Sequence, residues 1–350
     1  MMDDLLYEAV AQKASDLHIT VGAPPILRIN GILQAMEHPI LTFGDTEHLF
    51  HDIASPEQRD LFNQTGELDA AFTIPQCSRF RLNAFRQRGT IALSIRVIPE
   101  IIPTLENLGH PEVLKKLAAK HRGLVLVTGP SGSGKSTTLA AMINFINAER
   151  DCHILTLEDP IEYVHSHQRS IVNQREIHKD TTSFANGLRA ALREDPDVIL
   201  VGELRDAETI GIAITAAETG HLVLATLHTS DASQTIDRII DSFPPYQQQQ
   251  IRAQLALSLQ GIVAQQLLVN HDGSGRVAAM EILVATPAIR NLIREGKTFQ
   301  IPTVLQTGAK LGMQSMDMSL RDLYRSGQVS YKEVMAYTGD PDAFLRMIDG

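Results

Sequence analysis

One octapeptide constrains this chain more than any other feature. Gly129-Pro130-Ser131-Gly132-Ser133-Gly134-Lys135-Ser136 is a complete GxxxxGK[ST] pattern, with the apolar run LVLVT before it and the helix-compatible TTLAAMINFI after it. Glycines at these spacings let successive backbone N–H groups converge on an anion, and the start of the following helix adds its positive end. Lys135 then reaches the outer phosphates and the Ser136 hydroxyl ligates a divalent cation. Residues 129 to 137, Thr137 included, are therefore the candidate nucleotide cradle, with ATP and Mg2+ as the expected ligands. By chance the pattern arises in about one chain in a hundred of this length.

A phosphate loop does not separate a kinase, a switch, a helicase and a motor, so the acids around it must decide. DPDVILVGE ends a buried run at Glu203, where a carboxylate can hold Mg2+ directly or through water. Taken alone, Glu203 also fits a solvated loop acid. HILTL runs into Glu158-Asp159-Pro160-Ile161-Glu162-Tyr163-Val164-His165, a dense acidic cluster at another strand end. Hydrolysis needs a group that orients and deprotonates water in line with the γ-phosphate, which a carboxylate of this cluster can do, and Glu162 is the one hardest to explain as a cap or turn. Helix capping or a turn accounts equally for Asp159. His228 follows the end of the run HLVLAT, the sheet edge where open α/β folds bind ligands; a lone histidine is otherwise an ordinary core or surface residue.

The rest of the chain supplies the frame. With 350 residues, about two domains are expected. Residues 4 to 15 suit a helix, and Leu17, Ile19 and Val21 alternate with polar neighbours at the strand period. Asn30-Gly31 suits a tight hairpin turn. Leu68 to Ile74, Phe80 to Ala84 and Ile91 to Val97 alternate likewise. Residues 1–98 are thus expected to form an α+β domain with a mostly antiparallel sheet. Pro99, Pro103 and Pro111 mark a linker over 99–111, a hinge with few core residues. From 112 to 350, buried runs alternate with helical segments at 137–149, 206–219 and 231–241, the grammar of a parallel α/β sheet. From about 246 helices are expected to dominate, apart from a strand at VAAMEILV.

Composition excludes several classes. Hydrophobic residues at 43% and charged ones at 21% disfavour disorder and a disulfide-stapled miniature. The 31 Lys and Arg against 41 Asp and Glu give a net charge of −10, the wrong sign for coating nucleic acid or anionic lipid. Cys77 and Cys152 are too few for a four-ligand zinc site. MMDDLLYEAV carries acids where a signal peptide carries bases, and no apolar run approaches the roughly 18 residues of a membrane span. A reduced, cytoplasmic protein without membrane insertion is expected.

These motifs together resemble the type IV pilus retraction ATPases of the bacterial secretion ATPase superfamily. ASDLHIT, GPSGSGKSTT, the acid-rich ILTLEDPIEYVH, EDPDVILVGELRD and TGHLVLATLHT stand in the family's order and spacing, over nearly the whole chain. AIRNLIREGK at 288 to 297 is similar to the C-terminal signature of the retraction branch. The resemblance implies a PAS-like N-terminal domain, a RecA-like P-loop NTPase domain and a homohexamer with ATP between domains and neighbouring subunits. It implies Lys135 and Ser136 on phosphates and Mg2+, Glu162 as catalytic base, Glu203 as the Mg2+ or water-positioning acid, and His228 as a γ-phosphate sensor. Its expected partner is the inner-membrane platform protein of the pilus, which would hold the motor peripherally at that membrane, with no nucleic acid involved. An assembly ATPase of pili or type II secretion, and a low-turnover accessory paralogue, are the alternatives. A DNA translocase is disfavoured by the acidic balance.

The arginines follow from register. A hairpin turning at Arg88-Gly89 places Arg81 directly across from Arg96. Two like charges side by side repel unless an anion lies between them, and a nucleotide's phosphates would supply it. Arg81 and Arg96 are therefore candidate arginine fingers, with a solvated basic face as the plain alternative. Nothing in the residues decides what Arg290 and Arg294 contact.

Overall fold

The computed structural model describes residues 2–349 apart from 30, 76, 99, 100, 274 and 340. The chain divides into two units, Met1–Ile101 and Ile102–Gly350.

In the first unit, helix α1 (Met2–Ala11) precedes strands β1 (Asp16–Ile19), β2 (Ile26–Ile29) and β3 (Ile32–Ala35). Helices α2 (Phe43–Ile53) and α3 (Pro56–Thr65) lead to β4 (Glu67–Ile74), β5 (Ser78–Gln87) and β6 (Thr90–Ile98). Both helices open on capping boxes, Thr42 with Asp45 and Ser55 with Gln58, which satisfy backbone donors the helix itself cannot. The sheet runs β3-β2-β1-β6-β5-β4, with every pairing antiparallel. Alternation sends Phe80, Leu82, Ala84, Leu93 and Ile95 into a core with Leu6, Phe50 and Phe62. Burial of each large apolar side chain contributes about 1.5–3 kcal/mol, and the opposite face is left to polar residues.

The β5–β6 turn places Arg88 at φ 50° and Gly89 at φ 77°, the pair of left-handed residues whose twist suits a two-residue hairpin. Arg81 consequently pairs with Arg96, as the alternation requires. Helix α1 ends four residues earlier than expected, because the chain turns through Lys13 at φ 55° into β1. The β2–β3 hairpin forms, but Asn30 lies outside the described residues.

The second unit opens with α4 (Val113–Ala118), β7 (Gly123–Thr128), α5 (Lys135–Glu149) and β8 (His153–Glu158). Then come β9 (Ile171–Glu176), α6 (Phe184–Ala191), β10 (Val198–Val201), α7 (Ala207–Thr219) and β11 (Leu222–Leu227). Next in order are α8 (Ala232–Asp241), α9 (Pro245–Ser258), β12 (Leu259–Val269), β13 (Arg276–Val284) and α10 (Pro287–Glu295). Helices α11 (Ile301–Thr307), α12 (Met316–Arg325), α13 (Tyr331–Tyr337) and α14 (Pro341–Asp349) end the chain.

Its sheet runs β13-β12-β7-β11-β10-β8-β9 and is parallel except for β13. The central strands are buried on both faces, so they read as unbroken apolar runs. Leu139, Met142, Ile143 and Ile146 of α5 cover one face, and helices α6 to α10 supply much of the cover on the other. A smaller core joins Leu320, Val334 and Phe344 to Leu268 of β12.

Three expectations need correction. Residues 259–269 form β12, a long strand beside β7, where helix was expected; their apolar content fits either period. β9 and α6 were not anticipated, the first because Asn173, Gln174 and Arg175 interrupt its apolar residues. The expected linker is not an open tether over its later part: Leu105 is 2% exposed and packs with Leu114 and Leu117. Pro99 and Glu100 lie outside the described residues.

Candidate active site

Strand β7 ends at Thr128 and the chain enters the phosphate loop through Gly129 at φ 144°. A Cβ here would stand 2.3 Å from the Gln265 carbonyl oxygen, so only glycine lets the loop pass β12. Gly134, at φ 87°, caps α5, and a Cβ there would stand 2.7 Å from Gln265 Nε2. Lys135 is buried and donates to the loop's own carbonyls, at 2.8 Å to Gly129 O and 2.9 Å to Pro130 O. Burial pulls its ammonium below the usual lysine value, while Glu203 and Glu162 act in the opposite sense.

Four strand ends meet here. A cleft of about 260 Å3 is lined by Ser131, Gly132, Lys135 and Ser136, by Glu158, Asp159, Glu162 and His165, by Glu203 and Arg205, and by His228. The β10 end presents Glu203, whose Oε1 lies 3.2 Å from His228 Nε2 and whose Oε2 accepts from Arg205 Nε at 2.7 Å. The Glu203 side chain is 21% exposed and that of His228 48%.

The segment bearing Glu162 is held from several sides. Gln174 of β9 accepts from the His165 N–H at 2.8 Å and donates to Tyr163 O at 2.8 Å and Glu158 Oε1 at 3.1 Å. The Tyr163 hydroxyl meets Thr137 Oγ1 at 2.9 Å, tying this segment to the start of α5. Glu158 is raised above the ordinary carboxyl range by burial, against the hydrogen bonds of Thr156 and Gln174. It braces the strand end, a role that neither capping nor catalysis describes.

Sequence reasoning placed Ser131, Gly132, Lys135, Ser136, Glu162, Glu203 and His228 in one cleft, and the structure gathers them. Gly134 and Thr137 instead line a second cavity of about 490 Å3, with Leu108, His110, Leu267 and Arg276 among its walls. Gly129, Pro130 and Ser133 line neither; Gly129 and Ser133 are buried and Pro130 is exposed, and Ser133 Oγ has no hydrogen-bond partner among the described residues. Arg81 and Arg96 belong to the first unit and line a polar depression there with Asp16, Asp69, Asn83 and Ser94. The anion expected between the two arginines is in part the chain's own: Asp16 Oδ1 accepts from Arg96 Nε at 3.0 Å. No such bond engages Arg81 among the described residues.

Arg205, Gln174, Tyr163, Thr138, His110 and Gln265 were not anticipated. The signal for Gln265 was present as Gln265-Gln266, a polar pair inside the apolar run GIVAQQLLV. Arg290 is occupied within the chain, donating to Ala256 O at 2.5 Å and Leu257 O at 2.7 Å near the end of α9, as cations near helix C-termini do.

Residues 1–336 match the family model described as type II/IV secretion system protein. The chain belongs to that family. Among type II/IV secretion system proteins, it is 49% identical to the type IV pilus retraction ATPase PilT of Pseudomonas aeruginosa, over 97% of this chain and 99% of that one. A twitching motility protein of Neisseria gonorrhoeae is 52% identical over 87% of this chain and 82% of its own length. The crystal structure of the pilus retraction motor PilT with bound ADP superposes with a TM-score of 0.92 at 48% identity, covering 98% of each chain. The two-domain secretion ATPase fold read from the motifs is therefore the fold of this chain.

Proposed function

We propose that this chain is an ATP-hydrolysing motor that drives type IV pilus retraction. The single observation that carries the proposal is the convergence of the phosphate loop with Glu162, Glu203 and His228 in one cleft. Similarity along nearly the full length to PilT supports the retraction assignment over assembly.

The cleft suits a magnesium nucleotide. Glu158, Asp159, Glu162 and Glu203 face Lys135 and Arg205, so a polyphosphate would meet more negative than positive charge unless a divalent cation accompanied it. The available ligands, the Ser136 hydroxyl and carboxylates, are the oxygen donors that Mg2+ prefers. Ser136 would hold the ion directly and Glu203 through water, since both Glu203 oxygens already have partners. When bound, the ion neutralises charge that builds on the phosphate oxygens.

The chain's own groups do the rest. Lys135 turns its ammonium from the loop carbonyls to the outer phosphates. Glu162 accepts the proton of the attacking water, and His228, through its bond to Glu203, reports whether the γ-phosphate is present. Arg81, with Arg96, supplies cationic charge from the N-terminal domain once subunits assemble into a hexamer. The platform protein of the pilus at the cytoplasmic face of the inner membrane is the partner proposed. Steady-state phosphate release by the purified oligomer tests the reading, together with deletion of the gene. The expected results are magnesium-dependent turnover and cells that are piliated but immotile; absence of turnover sinks the proposal.

A further inference from the structure

Behind the phosphate loop runs a buried chain of hydrogen bonds that the reaction as described does not use. His110 Nε2 lies 3.0 Å from Thr138 Oγ1, Thr138 Oγ1 donates to Gln265 Oε1 at 2.7 Å, and Gln265 Nε2 donates to Ser133 O at 2.7 Å. Thr138 is fully buried and Gln265 is 2% exposed. The directions are mutually determined. Gln265 Oε1 can only accept, so it takes the single Thr138 hydroxyl hydrogen, and His110 Nε2 must then carry the hydrogen that Thr138 accepts. Burial holds the His110 imidazole down to about 4, in keeping with a neutral ring of that tautomer at neutral pH.

Gln265 touches the loop at three points. Ala264 pairs with Thr128, the last residue of β7, so Gln265 stands alongside the loop's first residue. Its backbone oxygen fills the space a Cβ would need at Gly129, its amide fills the same space at Gly134, and that amide also bonds Ser133 O between them. The loop therefore follows the Gln265 side chain, whose orientation Thr138 sets and His110 supports. His110 sits on the segment between Ile102 and α4, the entry into the second unit.

We propose that His110, Thr138 and Gln265 are positioning residues that hold the phosphate loop in its anion-binding shape before nucleotide arrives. Resting on the nucleotide-binding reading above, the relay makes the loop's grip on phosphate depend on where the entry segment lies. A preorganised loop binds without the cost of ordering itself, so loss of the relay weakens nucleotide binding and leaves the chemical step alone.

The test is steady-state phosphate release against MgATP concentration for full-length wild type, Thr138→Val, Thr138→Ser and His110→Ala, with melting temperatures alongside. Thr138→Val removes the central hydroxyl at nearly constant shape. Its KM should rise about tenfold with kcat within about twofold of wild type. Thr138→Ser, which restores the hydroxyl, should return KM to within about twofold, and His110→Ala should raise KM by about threefold. A merely structural role would lower melting temperature and active fraction, hence apparent kcat, at constant KM. Unchanged KM in both Thr138→Val and His110→Ala overturns the relay; if Thr138→Val does not fold, His110→Ala decides. Wild type that releases no phosphate sinks the hydrolytic reading instead, and the same ratios are then read from the dissociation constant for ADP.

Discussion

Two charged depressions, one in each unit, show how differently a fold can place functional side chains. In the second unit the cleft draws its groups from four strand ends, and most are held by neighbours: Glu203 by His228 and Arg205, Glu158 by Thr156 and Gln174, Lys135 by two carbonyls. In the first unit the depression rests on one cross-strand pair, Arg81 opposite Arg96, beside the nearly buried Asp16. The cleft can organise a nucleotide from within its own unit. The arginine face presents Arg81, which has no hydrogen bond or ion pair among the described residues, beside the paired Arg96. On the function proposed above, the groups would be divided between a prebuilt grip and a charge delivered on assembly, an arrangement in which turnover depends on neighbouring subunits.

The sharpest attack on this contrast is Lys135→Ala, which should abolish measurable nucleotide binding and phosphate release, because nothing else in the cleft replaces a buried ammonium. Next come Glu162→Gln and Glu203→Gln. Each should retain nucleotide binding, measured by calorimetry, within a few fold while phosphate release falls by at least about 100-fold, the scale of general acid–base catalysis. Wild-type turnover in Glu162→Gln would remove it as the base.

The arginines should then separate. Arg81→Ala should lower kcat of the assembled oligomer by at least about tenfold, short of the roughly thousandfold of a full arginine finger because Arg96 remains, at unchanged melting temperature. Arg96→Ala should in addition cost up to about 1 kcal/mol of stability, because it removes the ion pair of the nearly buried Asp16 carboxylate with a largely exposed guanidinium. Equal melting temperatures for the two variants would erase the distinction between the paired and the unpaired arginine.

The smallest effect concerns Glu281 of β13, which accepts from the N–H of Ala232 at the start of α8 at 2.9 Å. Burial first, then Asp231 and Asp317, push its carboxyl up to about 7. A carboxyl raised in the folded state stabilises the fold fully below its ordinary value near 4.5, and that contribution is lost as pH climbs toward 7. Glu281→Gln should therefore match wild type in melting temperature at low pH and exceed it by a few degrees above pH 7. Parallel curves for the two proteins would show that Glu281 titrates normally.

Much of this molecule was legible without coordinates. Alternation at residues 80 to 97 predicted not only two strands but the Arg81–Arg96 register, since the turn at Arg88-Gly89 leaves only one pairing that buries Phe80, Leu82, Leu93 and Ile95 together. The phosphate loop was equally plain, because its glycines answer to a local backbone demand that any reader of the chain can see. Glu162, Glu203 and His228 were located by their place at strand ends.

What the residue order determined by itself is whatever depends on near neighbours: strand and helix periods, turn glycines, the anion-binding loop and the acids that follow buried runs. Tertiary structure alone decided that β12 lies beside β7, and with it that Gln265 shapes the loop and that Thr138 orients Gln265; it also decided that Asp16 accepts from Arg96. Those hydrogen bonds join residues 80 to 132 positions apart, and no local pattern encodes a separation of that size. They exist because strands that neighbour each other in a sheet, antiparallel β1 and β6 or parallel β7 and β12, are distant along the chain, so packing of the whole sheet selects them.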